Sequence, residues 1–231
     1  MSHHINLTRI KGVAHALSDL KDEIAFVGGA TVSLYVDTPE YIEVRPTEDI
    51  DVLIEILSYN AYAQLQEKLS ALGFELDKEA KITCRYIYQG LIVDIMPLEE
   101  NVLGFSNRWY KEGFEHLELY PIIHGPDIRI FPAAYFIACK LEAFHGRGKG
   151  DGRTSKDFED IIFILDNRES IWADLKKYER DVFQYIQEQF SKLLSLPYIE
   201  EWISAHLEPA TANKRVKMIR DGMRRIVEDK S

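Results

Sequence analysis

Two stretches, Phe26-Val-Gly-Gly-Ala-Thr-Val-Ser33 and Thr47-Glu-Asp-Ile-Asp-Val-Leu-Ile54, decide the fold that this sequence predicts. In the first stretch an apolar run enters the pair Gly28-Gly29, and the helix-like segment 30–36 follows. This order indicates a strand, a tight turn and a helix. Because the backbone N–H groups at a helix start are free and the helix dipole is positive there, such a turn favours a phosphate.

The second stretch alternates apolar and acidic residues with the period of a strand that buries one face. The apolar set is Ile50, Val52, Ile54 and Ile56. Asp49 and Asp51 therefore project from the same side of the predicted strand. No cation stands beside them in the sequence, and paired carboxylates suit hard divalent metals such as Mg²⁺.

A third carboxylate, Asp94, interrupts the apolar run Leu91-Ile-Val-Asp-Ile-Met96. Burying a lone charge within a sheet is costly unless the charge is paired or bound to a metal. We therefore expect Asp94 to lie at a strand end or next to a metal.

The order of these motifs resembles the nucleotidyltransferase superfamily that includes DNA polymerase β. That superfamily has a hydrophobic residue followed by Gly and then Gly or Ser, a helix, an Asp-x-Asp strand and a third Asp on a later strand. The matching residues are Val27-Gly28-Gly29, Asp49-Ile50-Asp51 and Asp94. The gap between the first two motifs is longer than usual for the superfamily. Its extra residues, 37–46, contain two prolines and predict an inserted loop.

The rest of the first half, together with this resemblance, predicts an α+β fold with a nucleotidyltransferase-type mixed sheet flanked by helices. Apolar residues at helical spacing predict a first helix that Asn6 caps and a second helix that ends at Gly73. Strand-like segments follow, with a tight turn at Gln89-Gly90. Residues 99–114 are predicted to be a loop. Two further short strands are expected at 118–123 and 127–131.

The second half is predicted to be helical, so we expect a sheet domain at 1–131 and a helical domain at 132–231. Pro132 suits the first turn of a helix. A long helix is expected from Ser170 to Leu196, followed by shorter helices after the prolines at 197 and 209. The last of them carries six cations within 211–228, which we interpret as a solvated face in preference to a surface that binds RNA.

Residues 145–156 are rich in glycine and cations, but they lack the preceding strand and the Gly-Lys-Ser/Thr ending of a P-loop. Glycines at alternate positions make a backbone costly to order. We therefore predict a mobile loop whose cations, including Lys149 and Arg153, close over a triphosphate. Thr154 is expected to cap the helix that follows.

The segment from Lys140 through Lys156-Asp157-Phe-Glu-Asp160 is similar to a narrower group, the nucleotidyltransferase-like toxins of abortive-infection, type IV toxin–antitoxin systems. In those proteins a Lys-rich helix pair and a Lys/Arg-Asp-x-x-Asp segment follow the sheet domain, and cations there meet the triphosphate. The resemblance thus assigns Lys140 and Lys156 to the triphosphate. The alternative interpretation is a solvated loop and a capped surface helix.

The resemblance implies metal-dependent transfer of an NMP from an NTP to a hydroxyl acceptor, which would be RNA (such as tRNA) or protein. Asp49 and Asp51 would hold two Mg²⁺ (or Mn²⁺) ions, and Asp94 would bind one ion and bring the acceptor hydroxyl to it. Gly28 and Gly29 would let the triphosphate approach the backbone. A toxin of this kind would also have a cognate antitoxin.

Two alternatives stay open. The first is a small-molecule (antibiotic-type) nucleotidyltransferase, and the second is a non-catalytic binding relative that keeps the fold. Retention of all three carboxylates in strand phase argues against the second alternative.

Composition and charge limit the class of protein further. The 231 residues are 46% hydrophobic with a mean hydropathy of -0.22, and no apolar run reaches the ~20 residues of a membrane span. We expect a cytoplasmic protein with no membrane partner and with two buried thiols, Cys84 and Cys139. Residues 1–125 carry 10 Lys and Arg against 20 Asp and Glu. This half would repel an NTP unless metals neutralised it, and it does not suit a general nucleic-acid binder.

Overall fold

The structure is a computed structural model that describes residues 2–39, 42–56, 59–99, 106–147, 150–178 and 180–229. The chain forms two compact units, residues 1–34 with 38–132 and residues 35–37 with 133–231. The two domains expected at 1–131 and 132–231 stay a prediction, because compact packing does not show that either part folds alone.

Residues 35–37 belong to the second unit because the chain after Asn167 holds them. The backbone N–H of Asp37 donates to the carbonyl of Asn167, and its carboxylate accepts from the backbone N–H of Glu169 at 2.7 Å. The guanidinium of Arg168 donates to the carbonyl of Tyr35 at 2.9 Å. The predicted inserted loop, 37–46, therefore begins at a residue that is held by hydrogen bonds within the second unit. Residues 40 and 41 of this loop lie outside the described residues.

A mixed sheet forms the centre of the first unit. Its strands in the described residues are β1 Ile24–Val27, β2 Asp49–Ile54, β3 Glu75–Leu76, β4 Arg85–Tyr88, β5 Leu91–Pro97, β6 Glu118–Tyr120 and β7 Ile128–Ile130. Their order across the sheet is β3-β4-β5-β2-β1-β7-β6, and the pairs β2–β5 and β1–β7 are parallel while the others are antiparallel. The central strands β1, β2 and β5 are the ones that carry or precede the predicted motifs. The predicted mixed sheet is confirmed.

The helical elements of the first unit are α1 Ser2–Ala16, a short 3-10 turn at Ser18–Leu20, a 3-10 helix at Gly29–Tyr35, α2 Tyr59–Ala71 and α3 Tyr110–Glu115. Only the last residue of that 3-10 helix, Tyr35, belongs to the second unit. Two predictions are wrong here. Asn6 lies inside α1 instead of capping it. The predicted loop at 99–114 contains the start of α3, because Trp109 and Phe114 are buried and Gly113 allows the ring of Phe131 to pack against the helix. Residues 100–105 of that predicted loop lie outside the described residues.

The second unit is helical, as the sequence predicts. Its helices in the described residues are α4 Ala133–Arg147, α5 Lys156–Asn167, α6 Ile171–Asp174, α7 Arg180–Leu194, α8 Ile199–Ser204 and α9 Ala212–Val227. The single long helix expected after Ser170 is instead α6 followed by α7. Asp174 marks the break, since its buried carboxylate accepts hydrogen bonds from Ser170, Arg168 and Lys177. Burial opposes ionisation of Asp174, but these three donors outweigh it and hold the pKa of Asp174 below its usual value.

The glycine-rich segment is shorter and better anchored than the sequence predicts. Helix α4 continues through Arg147, and Ser155, not Thr154, caps α5 by accepting from the backbone N–H of Phe158. Gly152 is buried against Trp202, where a Cβ would come within 2.4 Å of the indole. Its carbonyl oxygen accepts a hydrogen bond from His206 Nε2 at 2.7 Å.

Within the same segment the guanidinium of Arg153 is bound by the carboxylates of Asp151 and Glu201. Lys149 lies outside the described residues. Closure of the segment over a triphosphate therefore stays a prediction. The predicted bounds of the loop, 145–156, are wrong, because residues 145–147 belong to α4.

None of the described helices combines the length and the apolar character needed to cross a bilayer.

Candidate active site

Strand register brings the three predicted carboxylates to one face of the sheet. Asp51 in β2 is the direct Cα partner of Asp94 in the parallel neighbour β5, and Asp49 precedes Asp51 by two residues on the same face. The Asp94 side chain is only 6% exposed, whereas the Asp49 side chain is 38% exposed. Asp94 lies inside β5 and not at a strand end, so that part of the expectation is wrong.

The turn after β1 comes into close contact with Asp51. Val27, the last residue of β1, is the Cα partner of Asp51, and Gly28 follows with φ +74°, a conformation that side chains with a Cβ rarely adopt. A Cβ at Gly28 would lie 1.9 Å from Asp51 Oδ2. Gly29 then begins the 3-10 helix, and Thr31 Oγ1 donates to the Gly28 carbonyl at 2.9 Å. The helical segment predicted after the glycine pair is thus a 3-10 helix.

Helix α1 holds both halves of the motif. A hydrogen bond of 2.9 Å joins His3 Nδ1 to Ser33 Oγ in the 3-10 helix. Asn6 accepts hydrogen bonds from the backbone and hydroxyl of Thr47, and Arg9 donates to the Thr47 carbonyl two residues before Asp49. The polar face of α1 therefore fixes the position of the chain immediately before β2. These contacts explain why Asn6 is buried inside the helix.

Arg85 is the site residue that sequence reasoning missed. Its Nε donates to Asp94 Oδ1 at 2.8 Å, and its Nη2 donates to Asp94 Oδ2 at 2.7 Å and to Asp49 Oδ2 at 3.3 Å. The signal for it is present in the sequence, because a two-residue turn at Gln89-Gly90 fixes the register of the hairpin. Counting outwards from that turn pairs Arg85 with Asp94, as the structure does.

The charges of this cluster stabilise one another. The hydrogen bond with Asp94 raises the pKa of Arg85 above its usual value, so the guanidinium stays charged. Burial, with the nearby charge of Asp94 adding to it, raises the pKa of Cys84 to about 12. Cys84 therefore remains a neutral thiol and is neither a nucleophile nor a thiolate ligand at neutral pH.

The three carboxylates have the chemistry to bind a divalent cation, but their side chains do not stand at the spacing of metal ligands. Among the described residues, no three His, Cys, Asp or Glu side chains are grouped at metal-ligand spacing. Asp49, Asp51 and Asp94 nevertheless supply hard oxygen donors on one face, which is the chemistry that Mg²⁺ and Mn²⁺ prefer. Arg85 supplies positive charge where a cation would neutralise Asp49 and Asp94. Gly28 keeps open the space beside Asp51 that a Cβ would fill.

The two predicted triphosphate lysines belong to the second unit and differ in their surroundings. Lys140 is buried in α4, and its ammonium binds Asp157 Oδ1 at 3.1 Å and Asp160 Oδ2 at 2.6 Å, both carboxylates of α5. Lys156 is exposed at the first residue of α5. The assignment of both lysines to a triphosphate stays a prediction.

Replacement of Lys140 by methionine is expected to destabilise the protein even without any nucleotide. Lys140, Asp157 and Asp160 have side chains that are 9%, 7% and 2% exposed, and removing one partner of a buried ion pair costs about 3–5 kcal/mol. Lys156→Met is the matched control, because that side chain is exposed. Urea unfolding of both variants measures the difference, and equal stability of Lys140→Met and the wild type would contradict it.

The basic face of α9 is largely neutralised within its own unit. Four of its six cations have carboxylate partners, in the pairs Arg215–Asp166, Lys217–Asp221, Arg220–Glu200 and Arg224–Asp221. The hydrogen bond from Lys217 lowers the pKa of Asp221 and keeps that carboxylate ionised. This pairing agrees with a solvated, charge-balanced face.

Comparison with solved structures shows a nucleotidyltransferase-like fold. The crystal structure of an antigenic nucleotidyltransferase-like protein from Paracoccidioides brasiliensis matches with a TM-score of 0.53 and 17% identity, over 90% of this chain and 96% of that chain. At this identity the match shows the fold alone. No curated protein sequence matches the chain.

A family model identifies the particular class. The model described as Nucleotidyl transferase AbiEii toxin, Type IV TA system, matches residues 13–229. The chain therefore belongs to this family of nucleotidyltransferase toxins. The resemblance stated from the motifs is confirmed.

Proposed function

We propose that this protein is a metal-dependent nucleotidyltransferase that moves an NMP from an NTP to a hydroxyl group of an RNA, such as a tRNA, or of a protein. The observation that carries the proposal is the juxtaposition of Asp49, Asp51 and Asp94 on one face of β2 and β5, directly beside the Gly28 turn. Membership of the AbiEii family supports the transferase activity and a role as the toxin of a toxin–antitoxin pair. A cognate antitoxin is accordingly the proposed protein partner.

The three acidic residues have two proposed roles. Asp49 and Asp51 would hold Mg²⁺ or Mn²⁺, and Asp94 would bind an ion and orient the acceptor hydroxyl. When bound, the metal neutralises the charge of the triphosphate and of the carboxylates and stabilises the attacking and leaving oxygens. Positioning and charge neutralisation, without a covalent enzyme intermediate, supply the rate.

The turn after β1 is the proposed contact for the triphosphate. Gly28 has no side chain between the turn and Asp51, and Gly29 opens the 3-10 helix with its backbone N–H groups. Residues 1–125 carry twice as many acidic as basic residues, so an NTP without a metal meets net repulsion at this surface. This charge balance supports the proposed requirement for a divalent cation. Lys140 and Lys156 are further proposed contacts of the triphosphate, and they rest on the family resemblance.

The function is tested by incubating the protein with each labelled NTP, Mg²⁺, total cell RNA and total cell protein. We expect one NTP to label one class of polymer, and we expect EDTA or the double variant Asp49→Ala/Asp51→Ala to prevent labelling. Calorimetry should show that EDTA also weakens NTP binding. Label confined to small molecules would favour the antibiotic-type alternative. Labelling that persists in both EDTA and the double variant would contradict the proposed site.

A further inference from the structure

Arg85 already occupies the carboxylate cluster that is proposed to receive the metal. Both oxygens of Asp94 accept N–H groups from this one guanidinium, and Asp49 accepts a third contact at 3.3 Å. The two-residue hairpin fixes this arrangement, because β4 and β5 place Arg85 and Asp94 directly opposite each other. The Arg85 side chain is 22% exposed and that of Asp94 is 6% exposed, so bulk water screens the pair only partly.

A guanidinium in this position weakens the binding of a divalent cation for two reasons. Both use the oxygens of Asp94, and a positive charge beside the site repels a second one. Coupling between two binding events is reciprocal, so the factor by which a bound metal weakens the contact between Arg85 and Asp94 is also the factor by which that contact weakens metal binding. In the absence of metal the same guanidinium relieves the repulsion between the carboxylates.

We propose that Arg85 is a positioning residue that holds Asp94 and Asp49 in the metal-free protein and competes with the divalent cation for Asp94. The inference rests on the proposed function, because that function identifies the carboxylates as the metal ligands. A free metal ion meets the full charge of the guanidinium. An ion that arrives bound to a triphosphate brings compensating negative charge. Arg85 therefore favours entry of the metal together with the NTP over entry of the metal alone.

The competition is measured by titrating the full chain with Mn²⁺ in the absence of nucleotide and following the free Mn²⁺ by electron paramagnetic resonance. Arg85→Met is the main variant, because methionine retains an unbranched apolar stem but carries no charge and cannot donate to Asp94. We expect it to bind Mn²⁺ about tenfold more tightly than the wild type, a typical size for coupling between sites. Its affinity for Mn²⁺ with NTP present should change less.

Two further variants serve as controls. Arg129→Met makes the same substitution on β7 of the same sheet, where Arg129 contacts the Asp22 carbonyl and the ring of Phe114 and none of the three carboxylates. It should bind Mn²⁺ like the wild type. Arg85→Lys keeps the charge but loses the paired N–H donors, so its affinity should fall between wild type and Arg85→Met, and it provides the test if Arg85→Met does not fold.

A purely structural role for Arg85 predicts the opposite sign, because damage to the site weakens metal binding. Unchanged or weaker binding in folded Arg85→Met, or in Arg85→Lys if only that variant folds, overturns the inference. Asp51→Asn separates this failure from failure of the proposed function. If Asp51→Asn abolishes Mn²⁺ binding while the Arg85 variants leave it unchanged, only the inference fails. If Asp51→Asn leaves Mn²⁺ binding at the wild-type level, or if neither the wild type nor any variant binds Mn²⁺, the proposed metal site is wrong and the inference fails together with it.

Discussion

Gly28→Ala is expected to reduce nucleotidyl transfer by at least about 100-fold, since a displacement of about 1 Å at a reacting centre can have an effect of that size. The new Cβ would lie 1.9 Å from Asp51 Oδ2 and 2.6 Å from its Cγ, so either Asp51 or the turn after β1 has to move. The φ of +74° at this position adds about 1–2 kcal/mol of strain for a residue with a Cβ. Both changes affect the contact between the turn and the carboxylate.

Gly90→Ala is the matched control for this prediction. Gly90 has a φ of +80°, close to that of Gly28, but a Cβ there would meet nothing within 4 Å. The backbone strain is thus shared by the two variants and the collision with Asp51 is not. Thermal melts should show a small loss of stability in both, and a transfer assay should show loss of activity in Gly28→Ala alone. Wild-type transfer by Gly28→Ala would show that the turn does not form part of the site.

Asp49→Ala and Asp51→Ala are each expected to abolish measurable transfer. Loss of a partner that only supports a metal ligand costs roughly 10- to 100-fold, so loss of a ligand itself should cost more. Thermal stability should change little, because the loss of Asp49 removes only a half-exposed contact with Arg85 and the loss of Asp51 removes a like charge opposite Asp94. Thermal melts and the transfer assay together separate the loss of chemistry from a loss of folding.

Asp19→Ala provides the control, since Asp19 is an exposed carboxylate of the same unit in the short turn at Ser18–Leu20. It should retain both activity and stability. Near-wild-type transfer by either Asp49→Ala or Asp51→Ala would show that the metal ligands have been assigned to the wrong residues.

The strands and the glycine turn were predictable because their signals are local. Alternation of apolar and acidic residues set the faces of β2, and that alternation placed Asp49 and Asp51 together before any register was known. Gly28 was predictable for a similar reason, since a glycine pair between a strand and a helical segment marks a tight turn. The juxtaposition of Asp51 and Asp94 required the pairing of β2 with β5, which family resemblance supplied and local pattern did not.

The predictions that failed depended on partners far away in the sequence. Asn6 has the side chain of a capping residue, but its hydrogen bonds go to Thr47 and to the carbonyl of Arg45. The surroundings of Lys140 were not predictable either, because its carboxylate partners come from the next helix, while its assignment to the triphosphate stays a prediction. Arg85 was overlooked because the hairpin register was not extended from its turn to Asp94. In each case the tertiary partner, and not the local pattern, determines what the polar side chain does.

The contacts of α1 also have a consequence for how the site is built up during folding. One face of this helix binds Ser33 on the glycine side and Thr47 on the aspartate side, and it therefore reinforces the direct pairing of β1 with β2. Ordering of α1 and alignment of the two segments therefore form one cooperative step. A helix that is assigned no catalytic role thereby supports the alignment of the residues that are.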